Sequence, residues 1–133
     1  MKTGRNVLFI TLIFILTSCA TTTKFPTSSI VPAAEIVAKI KQDKNKNYAI
    51  EIVAKNLASP DRLSPPKNNY SVWMVTEKNE TKNLGQLINK NAKKAVLKTT
   101  TPFQVVEIFI TTEERGDSSY PSGDEITRVT INK

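Results

Sequence analysis

The 133-residue chain contains no histidine and a single cysteine. The first absence excludes a histidine-activated serine or cysteine nucleophile, and any histidine-ligated zinc site, within this chain. The second excludes an internal disulfide. Glycine is scarce, with four residues against seven prolines, and a composition of 39% hydrophobic and 23% charged residues fits neither a collagen-like nor a wholly disordered chain. Acidic charge is the minority sign: 12 Asp+Glu face 19 Lys+Arg, for a formal net charge of +7. The longest apolar run is Val7 to Leu16, interrupted only by Thr11. About ten residues at ~1.5 Å each cover roughly half of a ~30 Å hydrocarbon core, too little for a membrane-spanning helix but right for the apolar centre of a signal peptide.

What surrounds that run gives it a meaning. Lys2 and Arg5 make the start basic, and Leu16-Thr17-Ser18-Cys19 follows at once. This arrangement resembles the lipobox of bacterial lipoproteins. Small residues precede the cut because the signal peptidase closes around an extended segment, and the nucleophilic thiol of Cys19 accepts the diacylglyceryl group. The resemblance implies a cleaved signal peptide over residues 1–18 and lipidation at Cys19. Removal of the leader takes 18 of the 133 residues, leaving 115, with 17 basic against 12 acidic once Lys2 and Arg5 are gone. More than one acyl chain on Cys19 would anchor the chain to a membrane far more firmly than a single myristoyl group. Ala20, rather than aspartate, follows the cysteine. By analogy with the enterobacterial sorting rule, that points to the outer membrane of the cell envelope over the inner.

Ala20 to Pro32 is dominated by Thr, Ser and Pro with no periodicity, and is expected to be a flexible tether from Cys19 to residue 32. Residues 33–133 are then one domain, large enough to build a core without staples. Its pattern is that of strands. Ala34, Ile36, Ala38 and Ile40 alternate with polar or opposite-face residues, and Tyr48, Ile50, Ile52 and Ala54 do so after the polar turn at 42–47, so a hairpin is expected. Further strands are expected over 70–77, over 103–113 as the most apolar and central one, and over 125–132. Pro60, Pro65 and Pro66 mark a loop, as do Gly116, Pro121 and Gly123. From Leu84 to Leu97 the apolar residues fall at helical spacing while the context is β, so either an amphipathic helix or two short strands turning near Asn89–Asn91 satisfies the sequence.

The second half carries a family pattern. Tyr70-x-Val72-Trp73-Met74-Val75 is followed by Leu84-Gly85, then Phe103, a strand ending Thr112-Glu113-Glu114, and Pro121-Ser122-Gly123. Over residues 69–133 this order resembles the extracytoplasmic domain of the anti-sigma-K factor family. The resemblance implies a mainly β, immunoglobulin-like antiparallel sandwich of about seven strands. In that family a sigma-binding domain and a transmembrane helix precede the module, whereas here lipobox and tether stand in their place, so a regulatory role would need a separate membrane partner. Trp73 is expected to fill the space between the two sheets. Gly85 is expected at a bulge or turn, and Pro121-Ser122-Gly123 as turn chemistry with Gly123 at positive φ.

Reactive constellations are sparse. Glu113, Glu114, Asp117, Asp124 and Glu125 cluster around one loop, and a carboxylate pair there is the one candidate for acid/base chemistry or calcium. Solvated strand ends explain the same residues, and their spacing matches no calcium loop. Ser118, Ser119 and Ser122 have no histidine to activate them. Lys39, Lys41, Lys44, Lys46, Lys90, Lys93, Lys94 and Lys98 are spread over several segments with no interleaved aromatics. Nucleic acid is therefore not expected as a partner; contact with anionic surface polymers would be nonspecific, and solvated faces or guarded edge strands explain most of these lysines equally well. Asn69-Tyr70-Ser71 and Asn79-Glu80-Thr81 match a glycosylation triplet by chance. The expected protein is a lipid-anchored, non-catalytic binding or scaffold module without cofactor or metal. Its partner would be the membrane, another envelope protein or a surface polymer. The alternatives are a sensory accessory of an envelope sigma-factor circuit and a carboxylate enzyme acting on cell-wall glycan.

Overall fold

The computed structural model describes residues 20–91 and 93–131; the leader, Cys19 and the last two residues lie outside the described residues. The strands are β1 (Ala20–Lys24), β2 (Glu35–Gln42), β3 (Tyr48–Lys55), β4 (Asn69–Thr76), β5 (Thr81–Gln86), β6 (Ile88–Asn91), β7 (Lys94–Thr101), β8 (Val105–Glu113) and β9 (Glu125–Thr130). They form two antiparallel sheets, one ordered β1-β2-β3-β7-β6 and the other β5-β4-β8-β9. The mainly β fold expected from the alternation is observed, and its two sheets form the β-sandwich that the resemblance implies, with nine strands among the described residues instead of about seven.

Period-two burial places the core between the sheets. From the five-stranded sheet come Ile36, Ala38, Ile40, Ile50, Ile52, Ala54 and Ala95. From the four-stranded sheet Tyr70, Val72, Met74, Ile108 and Ile110 meet them. Each such aliphatic side chain, fully buried, contributes about 1.5–3 kcal/mol against chain entropy. The β2–β3 hairpin turns through a five-residue loop that Asp43 organises: its carboxylate accepts from the backbone N–H of Asn45 (2.8 Å) and Asn47 (2.9 Å). Lys46 there takes a left-handed φ of 63°.

The two extra strands arise in places where the sequence is read differently. Residues 81–101 form three strands, so the open segment Leu84 to Leu97 is strand, not helix. Helical spacing was present, but Gly85 has φ +129° and sits opposite a register shift at Val72/Trp73. Leu87 then carries the chain from one sheet to the other, its N–H bonded to the Tyr70 carbonyl at 3.0 Å. A glycine at a bulge was expected at 85, and this is its position; a Cβ there would stand 3.0 Å from a Leu97 methyl.

The tether expected over 19–32 is corrected for every residue described. Ala20–Lys24 pairs antiparallel with β2, from Ala20 opposite Lys41 to Lys24 opposite Val37. Phe25 and Val31 are each only 4% exposed and belong to the core. The buried Ser28 hydroxyl accepts from the N–H of Ile30 and Val31, and Thr127 of β9 donates to the Pro26 carbonyl at 3.0 Å. The segment thus crosses from the edge of one sheet to the edge of the other. Threonine is a good strand former, and one aromatic and one β-branched anchor suffice to pin a polar edge strand whose composition reads as a linker.

Candidate functional site

Three regions hold most of the residues singled out by sequence: the outer face of the four-stranded sheet, the loop 114–124 that covers it, and the outer face of the five-stranded sheet; Lys44 and Lys46 lie apart from these in the β2–β3 hairpin loop.

Trp73 does not fill the space between the sheets, where its residue type placed it. It lies on the opposite side of β4 from Tyr70, Val72 and Met74, so it points away from the inter-sheet core and forms a second cluster with Val75 and Phe109. Alternation alone dictates this, since neighbours in a strand face opposite ways. Trp73 stacks on its cross-strand partner Phe109 with ring centroids 6.3 Å apart and planes at 16°. The Arg128 guanidinium lies over the other side of Phe109, 4.0 Å from the ring centroid, held by Glu107 at 2.9 Å and Glu125 at 2.6 Å.

An outward tryptophan with 0% exposure needs a cover. The loop 114–124 provides it, and Glu113 is its clasp. The Glu113 carboxylate accepts from the Thr111 hydroxyl (2.7 Å), the Ser122 hydroxyl (2.8 Å), and the N–H groups of Ser122 (3.0 Å) and Gly123 (3.1 Å). Thr111 Oγ1 in turn accepts from the Trp73 indole N–H at 2.8 Å, so a buried relay runs from indole to loop. Burial works to raise the Glu113 pKa, but the bonds from Thr111, Gly123 and Ser122 outweigh it and hold the carboxyl below its ordinary range. At the loop's other end Asn83, the cross-strand partner of Trp73, donates to the carbonyls of Gly116 (3.1 Å) and Ser118 (2.9 Å).

Gly123 is needed, though not for the reason expected. Its φ is not positive; a Cβ on it would fall 1.5 Å from the Thr112 carbonyl oxygen. Close approach, not turn geometry, selects glycine here.

The five carboxylates do not converge on a common point. Glu113 is spent on the loop clasp. Glu114 is exposed and pairs with Lys67 at 3.3 Å and Asn68 at 3.2 Å. Asp117 forms a two-point pair with Arg115, which holds its carboxyl below the ordinary range. Glu125 binds Arg128, and Asp124 contributes its backbone carbonyl to the Thr112 N–H. Among the described residues, no three acidic or sulfur side chains are grouped to hold a metal ion. Ser118 donates to the Arg115 carbonyl and Ser122 to Glu113. Glu113, Glu114, Asp117, Glu125, Ser118 and Ser122 are thus engaged in closing the loop or pairing locally.

The lysines are where folding assembles something. The outer face of the five-stranded sheet can be followed in cross-strand rows. One row is Ala20, Lys41, Ala49, Thr100; the next is Thr22, Lys39, Glu51, Lys98. Then come Lys24, Val37, Val53, Val96 and Ile88, and last Glu35, Lys55 and Lys94. Six lysines from four strands therefore share one face with two glutamates. Lys39, Lys41, Glu51 and Lys98 rim a shallow trough of about 450 Å³ that Ala49 and Thr100 also line. A second hollow of about 540 Å³ lies between Lys55, Lys93 and Lys94. Ile88 is 63% exposed at the end of the apolar row. Part of this parity is legible in the sequence: Lys39, Lys41 and Lys55 occupy the non-core alternation of their strands, whereas Lys94 and Lys98 join them only once β7 is a strand paired with β3.

No protein-family model matches the chain, and neither does any curated protein or solved structure.

Proposed function

We propose that the protein is a lipid-anchored, non-catalytic binding module of the bacterial envelope, held in the outer membrane by acyl chains on Cys19. The observation that carries this reading is the sequence Leu16-Thr17-Ser18-Cys19 behind a basic start and a short apolar run. It is supported by the way the carboxylates and serines of the loop 114–124 are used: Glu113, Glu114, Asp117 and Glu125 each hold a partner, leaving no poised acid/base pair among them. It is supported further by the six-lysine face, a surface suited to an anionic partner and to no particular reaction.

The test is metabolic labelling with palmitate in cells producing the full chain. Wild type is expected to take up label and to accumulate as an uncut precursor when the lipoprotein signal peptidase is inhibited. Cys19→Ser is expected to take up none. Equal labelling of the two, or none of either, refutes the anchor.

A further inference from the structure

We propose that the outer face of the five-stranded sheet lies against the anionic phospholipid surface in which Cys19 is anchored, with Lys39, Lys41 and Lys98 binding lipid phosphates. This rests on the anchored reading above and adds to it an orientation and a second, electrostatic contact.

The distance between anchor and body sets the geometry. A long tether would let the domain tumble free of the bilayer. Instead β1 begins at Ala20, the residue after Cys19, and Ala20 is already in register with Lys41. One peptide spans about 3.8 Å, so acyl chains on Cys19 would hold a corner of this sheet within a few ångströms of the headgroups. Lys41 and Lys39, on the strand next to β1, then lie inside the ~8 Å over which surface charge is felt at physiological salt, and Lys98, three strand spacings of ~4.8 Å from β1, comes within it when the sheet lies flat on that surface.

The chemistry of the face matches a phospholipid layer. Its charge is positive, with Lys24, Lys39, Lys41, Lys55, Lys94 and Lys98 opposed by Glu35 and Glu51. None of the six lysines takes part in an ion pair among the described residues; the pairs that exist are on the other sheet and its loops. Ala49 and Thr100 beside the lysines are small and leave room for a headgroup to reach the trough, and Glu51, directly between Lys39 and Lys98, is the acidic group that lines it. Beyond them Val37, Val53, Val96 and exposed Ile88 give an apolar row to rest on the interface. On the opposite face of the sandwich the loop 114–124 folds back over the sheet, bonded to Asn83 and Glu113.

The experiment uses the full chain carrying Cys19→Ser, so that acyl chains contribute nothing, and measures co-sedimentation with vesicles. One set is phosphatidylcholine; the other is an equal mixture of phosphatidylcholine and phosphatidylglycerol. The apolar leader is common to all samples, so differences between protein variants read the folded face. Binding to the anionic vesicles is expected to exceed binding to the neutral ones and to fall with salt. At about a factor of five per lysine at an anionic surface, Lys39→Gln/Lys41→Gln/Lys98→Gln is expected to lose about a hundred-fold in partitioning. The corresponding triple arginine variant is expected to keep it. Arg62→Gln/Lys67→Gln/Lys78→Gln removes the same charge elsewhere and is expected to lose little.

Equal loss in the two glutamine variants would mean net charge alone drives binding, and would overturn the proposal. So would equal binding to both vesicle types. Preference for soluble polygalacturonate over anionic vesicles would assign the face to an acidic glycan and overturn it as well. Palmitate labelling of Cys19 with no lysine dependence on vesicles would leave the anchor standing and remove the face. Lysine-dependent vesicle binding without labelling would support the face and remove the anchor.

Discussion

Glu113 offers a sharp test of how the loop 114–124 is held, because two substitutions at the same atom positions should differ widely. In Glu113→Gln the amide oxygen can stand where Oε1 stands, accepting from Thr111 and from the N–H groups of Ser122 and Gly123, while the amide nitrogen donates to the Ser122 hydroxyl. The four shorter bonds survive, that to the Ser122 hydroxyl with its direction reversed, and the charge and the 3.4 Å contact of the Ser122 N–H with Oε2 are lost, which should cost about 1 kcal/mol, the difference between charge-assisted and neutral hydrogen bonds. Glu113→Ala instead leaves two hydroxyls and two N–H groups without their acceptor in a site 1% exposed. At about 1–3 kcal/mol for each buried unsatisfied group, reduced by water entering the space, the loss should be about 4 kcal/mol. Urea unfolding followed by fluorescence measures both, because Trp73 is the one tryptophan in the chain and reports the far end of the same relay. Its emission should shift to longer wavelength in Glu113→Ala before global unfolding, and stay near wild type in Glu113→Gln. The pH dependence has a defined sign. The native carboxyl titrates below its ordinary value of 4.5, so its contribution is present above that pH and is lost as pH falls through the lower native value. Wild type and Glu113→Gln should therefore converge in stability in strong acid. Equal losses for the glutamine and alanine variants, or an unshifted Trp73 in Glu113→Ala, would refute the clasp.

Other expectations follow from single contacts. Phe25→Ala should cost about 3 kcal/mol in urea unfolding, since it empties a core position; a loss below about 0.5 kcal/mol would mean the N-terminal segment does not pack as described. Gly123→Ala should cost at least about 3 kcal/mol, because no side-chain rotation relieves a Cβ placed on the Thr112 carbonyl, and should redden Trp73 emission as Glu113→Ala does. Tyr70 is buried, with its hydroxyl on the Ala58 carbonyl at 2.6 Å, and burial, aided by Asp61, pushes its pKa to about 12. An absorbance titration should show one tyrosine ionising about two units late, and Tyr70→Phe should abolish that phase. Because the raised value belongs to an acid, stability should decline between pH 10 and about 12, and less so in the phenylalanine variant.

Much of the fold could be read before folding because its strands obey a single rule. Ile36/Ala38/Ile40 and Ile50/Ile52/Ala54 alternate cleanly, and the observed β2 and β3 fall within a residue of the expected ones. Strand β8 is apolar on both faces because both are covered, one by the opposite sheet and one by the loop. The same double burial misled the reading of Trp73: its residue type suggested the main core, while its parity with Tyr70, Val72 and Met74 already placed it on the other side. The stretch 84–97 was ambiguous because a strand–crossover–strand path can mimic a 3.6-residue repeat when Leu87 belongs to neither sheet's alternation. The lysine face was invisible for a different reason. It needs the pairing of residues roughly fifty apart in sequence, such as Glu51 with Lys98, which no local window contains. The carboxylate cluster was visible as composition, but whether Glu113 met a ligand or its own loop depended on Ser122 and Gly123 folding back onto it.

The clasped loop and the lysine rows lie on opposite sides of a body two sheets thick, with sheets packed about 10 Å apart. Side chains on the two surfaces share no neighbour, and effects at sites so separated generally add. The molecule therefore behaves as two separable instruments back to back: one side can be rewritten for a new contact while the other keeps its own chemistry.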